Sequence, residues 1–147
     1  MADYITTLAR TADTTLAVGS IIAGATPRRG YVYEITYGSE GTPADNAFLW
    51  TVDRCTTQGT SSAVTPSTRD QADTVAANAV AGQNFTINPT VSTLLMSRLP
   101  LNQRATFRWV AVPGKELVWP ATQNNGFIWK TPTATALSVS VTVSHTE

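Results

Sequence analysis

The sequence predicts an all-β protein, an antiparallel β-sandwich of about eight strands that spans residues 1–147 as one domain. The clearest observation is near the end of the chain, where serine and threonine alternate with four aliphatic residues: Leu137, Val139, Val141 and Val143. Successive side chains of a strand point to opposite faces, so this period of two predicts a half-buried strand. Similar short runs recur between clusters of Gly, Pro, Asn and Ser, and roughly one residue in six is threonine, which favours strands.

The first half of the chain contains four strand-like runs. In the third of them, three tyrosines and Ile35 share one predicted face, and Glu34 lies on the opposite, solvated face. A Pro-Arg-Arg-Gly turn precedes this run. The four runs are residues 3–10, the short apolar segment that begins at Gly19, residues 31–38 and residues 47–57.

The second half is predicted to add a short strand that Pro89 ends, an aromatic strand, two further strands and the terminal strand. Asn125-Gly126 predicts a hairpin between the two further strands, because both residues tolerate positive φ. Two segments favour helix instead: the alanine-rich residues 67–80, and residues 92–99, which could make one turn. The strand-like runs are residues 83–90, 104–114, 115–131 and 137–144.

The shared period of two also predicts which side chains form the core. The expected buried residues are Tyr33, Ile35, Phe48, Trp50, Phe107, Trp109, Leu137, Val139, Val141 and Val143.

Residues 56–83 stand apart as a long polar excursion of small residues between two strand-rich blocks. Long loops in compact domains tend to have a function or to contact a partner. Two interpretations stay open: a surface loop with one short helix, or an arm that packs on a neighbouring subunit.

Composition limits the possible partners. Ten Lys and Arg balance ten Asp and Glu, so the chain lacks the basic surface that binds nucleic acid or an anionic membrane. Charged residues make up 14%, against a usual ~25%, and a surface with so little charge is poorly protected against association. No signal peptide and no apolar run of the ~20 residues that a spanning helix needs is recognised. The single Cys55 excludes an intramolecular disulfide and is expected to pack as a small apolar residue.

The residues that catalysis needs do not cluster in the sequence. The one histidine, His145, is the third residue from the end, which disfavours a catalytic triad. Asp70 and Asp73 are better explained as loop or helix-capping acids than as metal ligands, and nothing brings Glu34 near Glu116. We therefore predict no catalytic residue, no cofactor and no metal site.

Candidate interface residues come from the aromatic and basic side chains. Three locations are possible for the four tryptophan side chains. In order of preference, these are the core, a subunit interface and a platform on which a ligand stacks. Arg28 and Arg29 form either a solvated pair or a partner contact. The candidate subunit or partner interface is therefore Arg28, Arg29, Trp119 and Trp129.

The second half of the chain resembles small virion proteins of tailed bacteriophages. The shared features are a Pro-Leu-Asn-Gln-Arg-Ala-Thr run into an aromatic strand, a Pro-Gly-x-Glu-Leu turn, a Pro-Ala-x-x-x-Asn-Gly segment and a final closing strand. They cover most of residues 56–147 and only loosely the first third. The ending "VSHTE" departs from those relatives, which tend to finish on an aromatic or acidic strand end.

This resemblance implies a jelly-roll-like sandwich that acts as a capsid decoration or cement protein and not as an enzyme. The expected partners are the major capsid protein and the chain itself, as a homotrimer, with neither nucleic acid nor membrane. The protein is expected to be made in the host bacterial cytoplasm and to lie on the outer surface of the virion capsid. The alternative is a phage fibre, a spike or a carbohydrate-binding β-sandwich that uses exposed tryptophans.

Overall fold

A computed structural model describes residues 1–134 and 136–147, apart from the side chains of Met96 and Ser97. Within these residues the chain forms strands and no helix. The strands are β1 (Asp3–Thr11), β2 (Gly19–Ala23), β3 (Gly30–Glu40), β4 (Ala47–Cys55), β5 (Thr60–Val64), β6 (Ser67–Thr68), β7 (Ala79–Ile87), β8 (Val91–Asn102), β9 (Phe107–Val110), β10 (Leu117–Trp119), β11 (Gly126–Lys130) and β12 (Ser138–Thr146).

The strands form two six-stranded antiparallel sheets. In sheet A the order is β10-β3-β12-β1-β6, and β9 also pairs with β3. In sheet B the order is β5-β7-β2-β11-β4-β8. Apolar side chains from both sheets pack into one shared core, with Leu8 and Val141 from sheet A and Ile21 and Trp129 from sheet B among them. This arrangement confirms the predicted all-β sandwich.

The terminal strand is central in the fold. β12 lies between β1 and β3, and Val139, Val141 and Val143 are fully buried. Backbone hydrogen bonds of 3.3 Å join Ala2 and Glu147 in both directions, so the two chain ends are paired with each other. The prediction of a structural strand at the end of the sequence is confirmed.

A β-bulge in β3 explains one error in the predicted core. Ser144 pairs with Glu34 but His145 pairs with Val32, so β3 has one extra residue there. The bulge reverses the alternation, and Val32 is fully buried while Tyr33 is half-buried. Phe107 and Trp109 are half-buried as well, because β9 is a short strand at the edge of sheet A. The remaining predicted core residues are buried: Ile35, Phe48, Trp50, Leu137, Val139, Val141 and Val143.

Both helix predictions were wrong. Residues 92–99 lie within β8, which pairs with β4 along most of its length. Residues 67–80 contain β6 and the beginning of β7. Leucine and alanine have high helix propensity, but pairing with an adjacent strand overrides a preference of a few tenths of a kcal/mol per residue.

The predicted Asn-Gly hairpin was also wrong, although both flanking strands exist. β10 belongs to sheet A and β11 to sheet B, so the connection crosses between the sheets. Asn124 takes the positive φ, at 66°. Gly126 is required for a different reason, because a Cβ there would collide with the backbone of Ile21 on β2.

Residues 56–83 form β5, β6 and the beginning of β7 instead of a loop with a helix. The middle of this segment is held on sheet A of the same chain, where β6 pairs with β1. Arg69 forms an ion pair with Asp3 at 3.0 Å and donates a hydrogen bond to Ser144 at 2.6 Å. The Tyr4 hydroxyl donates to the Val75 carbonyl at 3.1 Å. A contact of this segment with a neighbouring subunit stays a prediction.

A second apolar cluster covers the outer face of sheet B. Phe85 packs there with Ile22 and Ile128, on the face opposite the shared core. The segments that link β4 to β5 and β7 to β8 run side by side, and the Thr56 N–H donates to the Thr90 carbonyl at 3.0 Å. The outer face of sheet A carries no comparable cluster among the described residues, and its strands present hydroxyl groups such as the Thr7–Thr142 pair at 2.9 Å.

Candidate functional site: the Arg28–Arg29 turn

The turn between β2 and β3 presents two exposed arginines, Arg28 and Arg29. Trp119 lies beneath this turn, and its indole Nε1–H donates to the Arg28 carbonyl at 3.1 Å. Gly30 allows the close approach, because a Cβ at this position would collide with the Trp119 ring. The turn is therefore held against a buried side chain by one hydrogen bond and one contact that requires glycine.

Trp119 and Trp129 are both fully buried, which corrects the prediction that they lie at an interface. Trp119 makes an edge contact with Phe127, with ring centroids 6.1 Å apart, and Phe127 makes another with Trp129 at 6.4 Å. Aromatic pairs prefer this edge-to-face geometry, so the two indoles pack favourably within the core. Trp119 therefore supports the arginine turn from below and does not itself offer a contact surface.

The sugar-stacking alternative loses most of its support from the same observation. Trp50 is also fully buried, in an edge contact with Tyr37 at 5.2 Å, and Trp109 is half-buried. A stacking platform needs an exposed ring face. Three of the four tryptophans offer none.

Three other cations, Arg69, Arg108 and Lys130, have carboxylate partners among the described residues. Arg108 pairs with Glu34 at 2.6 Å, and Lys130 pairs with the buried Asp53 at 3.4 Å. In the part of the chain that the structure describes, Arg28 and Arg29 form no such pair. The Arg29 guanidinium lies over the Tyr31 ring, 5.8 Å from its centroid, in a cation–π contact.

His145 lies directly behind this site, between two aromatic rings. Its ring is stacked on Tyr4 with centroids 5.4 Å apart and lies 5.3 Å from Trp119. Neither ring nitrogen has a hydrogen-bond partner among the described residues, and the side chain is fully buried. Burial lowers the pKa of His145 to about 4, and the carboxylate of Asp3 opposes this effect only in part. The imidazole is therefore neutral at pH 7.

Other residues singled out in the sequence have structural roles. Cys55 is buried, and burial raises the pKa of its thiol to about 12. Asp70 and Asp73 each accept a backbone N–H two residues ahead, as in ordinary Asx turns. Glu116 accepts the N–H of Gly114. No group of three or more His, Cys, Asp or Glu residues within residues 1–134 and 136–147 is arranged to hold a metal ion.

The surface also contains an open groove of about 430 Å³ at the edge where β5 and β6 meet the segment 73–77. Alanine, valine and threonine side chains line it, with Asp73 as the charged residue among them. Apart from the first residue, Met1, four large apolar side chains of the described residues are more than half exposed, and Val112 is the most exposed of these four at 69%. The four are Ile87, Leu94, Val110 and Val112.

The sequence identified the two arginines and Trp119 but missed the other residues of the site. Tyr31 lies under the Arg29 guanidinium, Gly30 rests on the Trp119 ring, and His145 lies behind that ring. Only the Pro-Arg-Arg-Gly pattern hinted at Gly30. The described part of the chain contains no helix of the length and hydropathy needed to cross a membrane.

Comparisons with known proteins give no further assignment. No protein-family model matches this chain. No significant match was found among curated proteins or among solved structures.

Proposed function

We propose that this chain is a capsid decoration, or cement, protein that binds the outside of a bacteriophage head and stabilises contacts between capsomers. The observation that carries the proposal is the position of the two chain ends. β1 and β12 pair with each other in the middle of sheet A, so both ends are held within the sandwich. A terminus that is paired in this way resists fraying. The resemblance of residues 56–147 to small phage virion proteins supplies the biological setting.

A structural role is also supported by where the reactive side chains lie. His145 and Cys55 are both buried, at 0% and 2% exposure, so neither side chain reaches solvent or a substrate as the chain is folded. The function proposed for this protein depends on its surface and its rigidity, and not on a chemical step.

Self-association is the second part of the proposal. Ile87, Leu94, Val110 and Val112 expose more than half of their surface, and burial of such a side chain contributes ~1.5–3 kcal/mol. Only 14% of the residues are charged, so repulsion between copies is weak. A homotrimer would bind three equivalent capsid sites and gain avidity even where each contact is weak.

In this role the partners are the major capsid protein and further copies of the chain. The protein would be made in the cytoplasm of the host bacterium and would occupy the outer surface of the assembled capsid.

The test is the copy number of the protein in purified particles. Particles of the phage that encodes this chain are separated on a density gradient, and the chain is quantified by mass spectrometry against the major capsid protein. We expect a copy number of the same order as that of the major capsid protein. Particles from a gene disruption should be less heat-stable, and added purified protein should restore their stability. Absence from the particles would refute the proposal, and a handful of copies per particle would favour a fibre or spike.

A further inference from the structure

We infer that the Arg28–Arg29 turn is a preformed binding site for a carboxylate-rich protein surface, and that this surface belongs to the capsid partner. The inference rests on the proposed function, since it names the chemistry by which the chain recognises that partner. Of the four residues predicted to form an interface, Arg28 and Arg29 contact the partner and Trp119 supports their turn from within the core.

The first argument is the charge of the turn. Two adjacent guanidinium groups are exposed, and within the described residues neither has a carboxylate within 4.0 Å. Asp73 and Glu147 lie near enough to influence the Tyr4 hydroxyl together with Arg28. The Asp73 carboxylate, however, accepts the backbone N–H of Val75. The Glu147 carboxylate accepts the backbone N–H groups of Asn78 and Ala79. The arginines are thus left with donors available to a partner.

The second argument is that the turn is held in place before any partner binds. The hydrogen bond from Trp119 fixes the Arg28 carbonyl, and the Gly30 backbone rests on the same indole ring. The Arg29 side chain is held over Tyr31. A group that is already ordered loses less entropy on binding, so the same contacts give higher affinity.

The third argument concerns the class of partner. Guanidinium groups bind carboxylate and phosphate in the same forked geometry. Binding to nucleic acid depends on a broad basic surface that releases many counterions. This chain has no net charge, and Arg69 and Arg108 are engaged with Asp3 and Glu34. Two adjacent exposed arginines on a chain with no net charge favour a local acidic patch of a protein.

The test compares binding of purified variants to particles that lack the protein. The double variant Arg28→Glu/Arg29→Glu should bind at least about tenfold more weakly than the wild type. Wild-type binding should weaken between about 0.05 M and 0.5 M salt, and binding of the variant should depend less on salt. The Arg28→Lys/Arg29→Lys variant retains the positive charge but lacks the forked guanidinium geometry. Its affinity for the particles should lie between that of the wild type and that of the glutamate variant.

Matched controls separate this site from net charge and from folding. Arg98→Glu/Arg104→Glu changes the net charge equally at two other exposed arginines and should bind like the wild type. Trp119→Phe removes the indole donor to the Arg28 carbonyl but retains an aromatic ring. It should weaken binding severalfold while its thermal unfolding shows that the protein remains folded.

Three outcomes would overturn the inference, and they are distinguishable. Wild-type and Arg28→Glu/Arg29→Glu proteins that bind particles equally well refute the arginine site and leave the decoration function standing. A wild type that does not bind particles refutes the decoration function and this partner with it. Binding to a short DNA duplex that the double variant loses would assign the turn to phosphate and refute the acidic protein partner.

Discussion

Replacement of His145 by phenylalanine should remove most of the loss of stability that this protein shows between about pH 7.5 and about pH 5. The imidazole is buried between Tyr4 and Trp119, and within the described residues no group accepts or donates a hydrogen bond to it. A protonated ring in this place would be a buried cation without a hydrogen-bond partner. Phenylalanine fits a slot between aromatic rings and cannot bind a proton.

The expected size of the effect follows from the two pKa values. The pKa of His145 is about 4 in the folded protein, against an ordinary value of 6.5, so between these values the unfolded chain binds more protons than the folded one. Stability is therefore fully present above about pH 6.5 and is lost as the pH falls toward 4. The loss is about 2 kcal/mol at about pH 5 and about 3 kcal/mol in full, at 1.36 kcal/mol for each unit of pKa.

The assay is urea unfolding of the wild type and His145→Phe at about pH 7.5 and about pH 5, where most exposed carboxylates are still ionised. We expect the wild type to lose about 2 kcal/mol of unfolding free energy and the variant to lose little. His145→Leu serves as a second apolar variant if the larger ring disturbs packing. Equal losses in the wild type and in both variants would refute the assignment of acid sensitivity to His145.

Four further predictions follow from the fold. Deletion of residues 137–147 removes several buried aliphatic side chains, each worth ~1.5–3 kcal/mol, and should leave an unfolded chain in circular dichroism; a soluble, cooperatively melting product would contradict the central place of β12. Gly30→Ala should cost about 3 kcal/mol in urea unfolding and shift Trp119 fluorescence, whereas Gly114→Ala, in open space but at positive φ, should cost less. Cys55 should react with a thiol reagent only after denaturant is added, since its thiol is buried and its pKa is about 12. Light scattering should give about three times the 15.7 kDa chain mass at micromolar concentration, and a monomer there would count against the trimer.

The sequence by itself determined the fold class and the terminal strand. Val139, Val141 and Val143 alternate with small hydroxylated residues, and that local period is enough to predict a strand with one buried face. The same reasoning correctly placed Phe48 and Trp50 in the core. The two exposed arginines were also visible in the sequence, because a Pro-Arg-Arg-Gly segment is a typical surface turn.

Only the tertiary structure decided the rest, because the deciding interactions join residues that are distant in the chain. β8 is a strand because it pairs with β4, although its leucines favour helix locally. The bulge at Tyr33 exists only in the register between β3 and β12, and it exchanges the buried and half-buried sides of the strand. Trp119 could have lain at an interface or in the core, and it is buried because Phe127 and His145 from other strands enclose it. No local pattern contains such pairings, since a side chain's burial depends on which strand the chain places opposite it.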